Sequence, residues 1–291
     1  MVITLLSDFG DVYPASMKGV ILGLHPDANI VDISHSIPRH DIRTGAFILM
    51  TTAKYFPTGT VHIAVVDPDV GTTRRTIAAR AQSPDGDIHF FIGPDNGLLI
   101  PAARSIGKFE VYEITNRDFF RKIPSRTFHG RDIFAPVGAH ISMGSGIEEV
   151  GAEIFDFIDL DFGVVIKTED SIQGKVIFID PFGNIVTNIS SDSVDLKNGD
   201  TLEIEGIKVP FLNSYGFCNE GEPLALIGSH GYLEIAMNQG NAARFFNKKI
   251  DDEINIIKKI VGAKYSARSC IIIIITLGCF LIRFHHNVHI N

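Results

Sequence analysis

The 291-residue chain has only three cysteines, Cys218, Cys270 and Cys279, and no CxxC pair. That excludes a thiolate zinc site and a disulfide framework, and it points to a reducing compartment, with the cytoplasm as the default. An excess of positive charge is also missing: 26 Lys plus Arg face 34 Asp plus Glu, a formal net charge of -8. A nonspecific nucleic-acid surface is therefore not expected, although a local basic patch can survive the average. No GxGxxG, P-loop, GxSxG or HExxH occurs, so a glycine cradle for nucleotides and a serine elbow are both unsupported. The start, MVITLLSDFG, has no basic leader and is broken by Ser7 and Asp8; it reads as a buried strand, not as a signal peptide. One apolar run, CIIIIITLGCFLI from Cys270 to Ile282, is shorter than the about 20 residues of a spanning helix. It is open to three readings: a segment docking on a partner subunit, a membrane-surface anchor, or a non-native end from a frame error.

What is present is a globular composition, 45% hydrophobic and 21% charged, long enough for two modest domains. Apolar runs at Val2 to Leu6, Asn29 to Ile33, His62 to Val66 and His89 to Ile92 read as strands. Ala15 to His25, Arg43 to Phe56 and Arg131 to Met143 carry helical spacing. This alternation predicts an α/β fold with a largely parallel sheet covered on both faces. Asp8, Asp67 and Asp95 each follow an apolar strand. In an open parallel sheet the ligand crevice lies outside the carboxyl ends of the strands, so three carboxylates are expected on one rim; Asp is also an ordinary turn residue. From about Ser171 the pattern becomes β, with GKVIFIDPFGNIVTNI, TLEIEGIKVPFL and PLALIGSHGYLEIAMN separated by turn residues. The expected organisation is an α/β domain over residues 1–165, a smaller β-rich domain over 171–257 and an atypical apolar tail over 258–291.

Three polar segments pack Asp, Arg or His between Gly and Pro: VVDPDVGTTRR (Val65 to Arg75), FIGPDNGLL (Phe91 to Leu99) and TFHGRDIFAP (Thr127 to Pro136). Together with LLSDFG, IDPFGNIVTNI and GSHGYLEIAMN, and in this order, they resemble the S-adenosyl-L-methionine (SAM) hydroxide adenosyltransferases, also called adenosine-forming SAM hydrolases. The resemblance covers about Val2 to Ile257, and six ordered motifs make it specific. It implies an α/β domain followed by a β-barrel-like domain, and conversion of SAM and water to adenosine and methionine. It also implies trimers with the site between one subunit's first domain and its neighbour's second. SAM is then the substrate, with no cofactor and no metal.

The implied reaction is displacement at the ribose C5′ by an oxygen nucleophile, with a neutral thioether departing. Water has a pKa near 15.7, so side chains must hold and activate it. By motif match the catalytic residues are Asp67, Arg74 and His129. Asp67 and His129 grip the water, His129 is the expected proton acceptor because its ordinary pKa lies near neutrality, and Arg74 orients Asp67 and keeps it ionised. Asp8 matches the ribose-hydroxyl ligand. Asp180 and Asn184 match residues holding the methionine ammonium and carboxylate, Phe182 packs beside adenine or thioether, Tyr215 stacks on adenine, and Ser229 serves the methionine carboxylate. Asp95 and Asn96 belong to a GPDNG turn that can be purely structural. One departure is Asp69, where the family has Gly in DPGVG, which questions the loop geometry.

Related halogenating enzymes carry a small hydroxyl residue at the position of Gly130, an aromatic at that of His129 and a long insertion before GPDNG. Here AQSPDGDIHFF is short and position 67 is not aromatic, which favours hydroxide over halide. Two further possibilities are a metallohydrolase using Asp67, Asp69 and His129, and a non-enzymatic SAM or adenosine sensor.

Overall fold

A computed structural model describes residues 1–259. The first sheet is built from β1 (Val2–Ser7), β2 (Asn29–Ser34), β3 (Val61–Val65), β4 (Thr76–Gln82), β5 (Ile88–Pro94), β6 (Lys108–Glu113) and β7 (Glu153–Ile154), in the order β2-β1-β3-β5-β4-β6-β7. The half running β2-β1-β3-β5 is parallel, and β4, β6 and β7 extend it antiparallel. The chain changes direction because β4 and β5 form a hairpin closed by Gly86 at φ 96, a conformation that glycine adopts without strain. β3 is buried along its whole length, as expected of a strand covered on both faces. Helices α2 (Ile42–Ala53) and α3 (Ile100–Ile106) cover one face, with Phe47, Leu49, Phe91 and Leu98 in the core there. Helices α1 (Tyr13–Leu24) and α4 (Ala135–Ser142) cover the other through Met17, Ile21, Phe134 and Val137.

The strands and helices expected from the sequence are present, with one change of form. In place of a single helix from Arg131, a π-helical turn over Gly130–Phe134 leads into α4. Pro136 supplies the reason: it has no N–H for the Asp132 carbonyl four residues earlier. That carbonyl instead accepts the Arg121 N–H at 3.0 Å, tying the turn to a distant loop. The alanine-rich β4 escaped the sequence pattern because it carries one large apolar residue, Ile77, among alanines and polar residues, and the seven-residue α3 because it is too short to show helical periodicity.

The second sheet comprises β8 (Ile166–Lys167), β9 (Ser171–Ile179), β10 (Ile185–Ser190), β11 (Thr201–Ile204), β12 (Ile207–Pro210), β13 (Pro223–Ile227), β14 (Tyr232–Met237) and β15 (Glu253–Lys259). Its order is β12-β11-β15-β9-β10-β14-β13, with β8 on β9. A bridge between Phe211 and Ala225 brings its two ends together, giving a nearly closed antiparallel barrel. Val176, Ile185, Leu202, Leu233, Ile235 and Ile254 fill the interior. Phe47 of α2 stacks on Phe178 of β9 at 5.0 Å. No helix among the described residues is long and apolar enough to cross a membrane. The expectations for the tail beyond residue 259 lie outside the described residues.

Across β1, β3 and β5, Thr4 Oγ1, His62 and His89 form a buried chain, with contacts of 2.8 Å and 3.1 Å. Burial first, and the neighbouring His89 second, push the His62 imidazole down to about 3; burial likewise lowers His89. The folded protein therefore refuses protons that the unfolded chain takes up near about pH 6.5. Urea-unfolding free energies should be level above that pH and fall by a few kcal/mol as the pH drops through it toward about 4. A His62→Phe variant should show a flatter acid limb, and an unchanged slope would contradict the assignment.

Candidate active site

β1, β3 and β5 run parallel as neighbours, so the residues after their last positions share one rim. Asp8 and Asp95 follow directly from the ends of β1 and β5, and Asp67 follows the end of β3 after one intervening residue, Val66, but their surroundings differ. Asp95 is buried, and it accepts Arg75 Nε at 2.9 Å and the Ile158 N–H at 2.8 Å. Arg75 continues to Asp156, so Asp95 staples the loop at residues 156–158. Asn96 donates to the Val66 carbonyl at 2.8 Å and thereby holds the backbone next to Asp67.

Asp67 is gripped by both arms of Arg74: Nε donates to Oδ1 at 2.8 Å and Nη2 to Oδ2. The same Nη2 lies 3.0 Å from His129 Nδ1. A guanidinium can only donate, so Nδ1 must accept, which leaves the His129 proton on Nε2. The polarity is thus the reverse of the sequence expectation: His129 presents a donor at Nε2, and its free acceptor is already taken. Burial, and next the Arg74 cation, hold the imidazole below its usual range. Arg74 itself packs over the Phe134 ring at 5.5 Å. The Arg74 fork uses one lone pair on each Asp67 oxygen and leaves one on each for a further donor.

Two devices bring His129 to Arg74. Asp132 is fully buried and accepts from Arg131 (2.7 and 2.8 Å), Arg121 (2.9 Å) and the Ser125 N–H (2.8 Å). Burial raises its pKa, but these donors outweigh that and hold it at about 2. In the other loop, Gly71 has φ 79, and a Cβ there would lie 2.1 Å from the Arg126 carbonyl oxygen. Asp69 adopts no left-handed conformation; its carbonyl accepts from Thr72 at 3.2 and 2.7 Å, so the loop accommodates Asp without strain. Among the described residues no group of three His, Cys, Asp or Glu is arranged to hold a metal, so Asp67, Asp69 and His129 do not form such a set.

Asp8 accepts the His40 N–H at 2.9 Å through Oδ2. Beside it, Phe9, Tyr13 and Phe128 meet edge to face, at 5.6 to 6.5 Å between centroids. They line a cavity of about 430 Å³ with Ser125, Thr127 and Arg131. Sequence reasoning passed over these rings, although two of them adjoin Asp8 and His129. A Cβ on Gly130 would lie 3.2 Å from Phe9 and Phe128 and 3.3 Å from Met17, so even a serine there would crowd this wall.

The barrel carries a second cavity, about 520 Å³, lined by Asp180, Phe182, Asn184, Tyr215, Met237, Gln239 and Gly240. Asp180 organises its loop, accepting the Phe182 and Asn184 N–H groups at 2.9 and 2.8 Å and Asn184 Nδ2 at 2.9 Å. Phe182 is 77% exposed. Ser229 does not join them: it is exposed at the tip of the β13–β14 turn. Met237, Gln239 and Gly240 lie at and just past the end of β14, in a stretch whose strand pattern hid their role. The two cavities share no lining residue.

Residues 3–151 match the model of the SAM hydroxide adenosyltransferase N-terminal domain, and residues 174–255 match that of the C-terminal domain. A protein of Methanocaldococcus jannaschii named (R)-S-adenosyl-L-methionine hydrolase is 39% identical, over 88% of this chain and 95% of its own. A fluorinase of Actinopolyspora mzabensis is 29% identical, over 85% and 94%. The crystal structure of an uncharacterised conserved protein from Thermotoga maritima superposes with a TM-score of 0.80 at 35% identity, over 89% of this chain and all of that one.

Proposed function

The chain belongs to the SAM hydroxide adenosyltransferase family, and on that footing we propose that it hydrolyses SAM to adenosine and methionine. The observation that carries this reading is the bonded series Asp67–Arg74–His129 on the strand-end rim. A water seated between Asp67 and His129 attacks C5′ opposite the sulfonium. The C5′–O bond forms, the C5′–S bond breaks with its electron pair going to sulfur, and the water proton passes to a free lone pair of Asp67. His129 Nε2–H and the Arg74 cation stabilise the hydroxide character that develops on the oxygen. His129 stays neutral throughout, in keeping with its lowered pKa. Because nucleophile and sulfonium cancel charge as they combine, exclusion of bulk water favours the step.

Asp8 accepts from the ribose hydroxyls. Asp180 and Asn184 serve the ammonium and carboxylate of the methionine moiety, and Phe182 and Tyr215 flank the adenosine. Ser229 is kept from the motif match as a ligand of the same carboxylate. Phe9 and Phe128, the chain neighbours of Asp8 and His129, line the first cavity while Asp180 and Tyr215 line the second, and Phe182 is exposed; this supports a complete site formed between subunits of a homotrimer. The cytoplasm is the compartment in which this chemistry would run.

Chromatography of the purified protein with SAM, in buffer free of halide and treated with chelator, tests the reading. Adenosine and methionine should accumulate in equal amounts. Formation of 5′-methylthioadenosine, or full dependence on an added divalent ion, would refute it. Added chloride or fluoride should not divert product to a 5′-haloadenosine, since Gly130 and the short β4–β5 turn lack the halogenases' features.

A further inference from the structure

Tyr215 lies in a short helical turn, Tyr215–Phe217, between β12 and β13. That turn is exposed; Phe217, its other ring, is 73% open to solvent. A ring on such a turn has no strand backbone to hold its angle. The Tyr215 hydroxyl, however, donates at 2.7 Å to Oε1 of Glu234 on β14. Glu234 is 4% exposed, so its charge requires donors on both oxygens. The second is His230, whose Nε2 lies 3.1 Å from Oε2. His230 Nδ1 accepts the Tyr232 N–H at 3.2 Å, which puts the ring proton on Nε2 and makes His230 the donor. That backbone bond sets the direction of the His230–Glu234 link, and the Tyr215 link runs the same way because a carboxylate only accepts.

Space around the carboxylate is reserved for it. A Cβ on Gly228 would lie 2.4 Å from His230 Nε2 and 2.7 Å from Glu234 Oε2, so glycine is what lets the two close. The His230 ring packs against Phe47 of α2 and Tyr232, at 5.8 and 5.9 Å. Burial, and after it the bond to Glu234, push the Tyr215 phenol up, so it remains a donor across the working range.

We propose that Glu234 is a positioning residue for substrate binding: a buried carboxylate, anchored by His230, that locks the Tyr215 ring at the angle its cavity presents to the nucleoside. This rests on the reading that the cavity takes the adenosine part of SAM. Glu234 touches no reacting atom, so its loss should weaken binding and spare the chemical step.

A double-mutant cycle decides it. Glu234→Gln keeps the shape but sets an amide NH2 against one of two donors, and Tyr215→Phe keeps the ring but removes the tether. Each should raise KM for SAM, and the Kd of adenosine measured by calorimetry, by about 5- to 10-fold. In each, kcat should stay within about twofold. The double variant should be no weaker than the weaker single. Additive losses, a fall in kcat at unchanged KM, or unchanged adenosine affinity would overturn the proposal. If Glu234→Gln does not fold, Tyr215→Phe alone must still show the KM-against-kcat split. Should the wild type release no adenosine from SAM, the proposed reaction fails, while the adenosine titration still judges the tether.

Discussion

His129→Ala should lower kcat for adenosine release by about 10² to 10³ and leave SAM binding nearly unchanged. The imidazole is half-buried, receives Arg74 at Nδ1 and offers a proton at Nε2. Alanine deletes that donor where hydroxide character develops, yet touches none of the residues assigned to ribose, methionine or adenine. The wild-type pH profile should carry the same signature. Protonating Nδ1 would turn a second cation toward Arg74, so activity should fall on the acid side. Burial and the Arg74 charge lower the pKa, so the midpoint should lie below the ordinary value of about 6.5. Activity should be level above it. Steady-state kinetics from about pH 5 to about pH 8, paired with calorimetric titration of SAM into the variant, give both results. A His129→Ala enzyme with wild-type turnover would end the assignment, as would a profile rising toward acid.

Gly71→Ala should destabilise the protein by about 3 kcal/mol or more and reduce kcat by about 10²-fold in whatever remains folded. Two independent costs combine there. The left-handed φ of 79 disfavours any side chain, and the added Cβ would meet the Arg126 carbonyl oxygen at 2.1 Å. Relief requires the loop at residues 67–75 to part from the loop at residues 125–132. Those loops bring Arg74 and His129 together, so stability and turnover should fall in company. Gly86→Ala is the matched control: it also has positive φ, 96, but nothing lies within 4 Å of its Cβ, so it should cost only the backbone strain, about 1 to 2 kcal/mol. Urea titrations of the two variants separate the terms. Equal losses would mean that the approach to Arg126 carries no weight.

Much of the fold was open to reading along the chain, because strand burial and helix amphipathicity are local patterns. The apolar runs ending before Asp8, Asp67 and Asp95 imply parallel neighbours and a shared rim, and β1, β3 and β5 are arranged so. The antiparallel extension was harder to see. β4 is rich in alanine and owes its place to ladders with β5 and β6 rather than to a pattern of its own. Six ordered motifs identified the family. They could not distinguish a carboxylate that staples a distant loop from one bonded through Arg74 to His129, since Asp95 and Asp67 stand in nearly the same local context and differ only in what meets them.

Composition and periodicity by themselves determined an α/β unit followed by a smaller β-rich one, and the ordered motifs, through their resemblance to the family, implied the barrel and the polar segments of the site. Tertiary structure alone decided the direction of each proton: that His129 accepts from Arg74 and therefore donates through Nε2, and that Glu234 takes both Tyr215 and His230. The reason is physical. Apolar burial is written in spacing along the chain, whereas the polarity of a hydrogen bond depends on which donor arrives from elsewhere, and Arg74 comes to His129 across 55 residues.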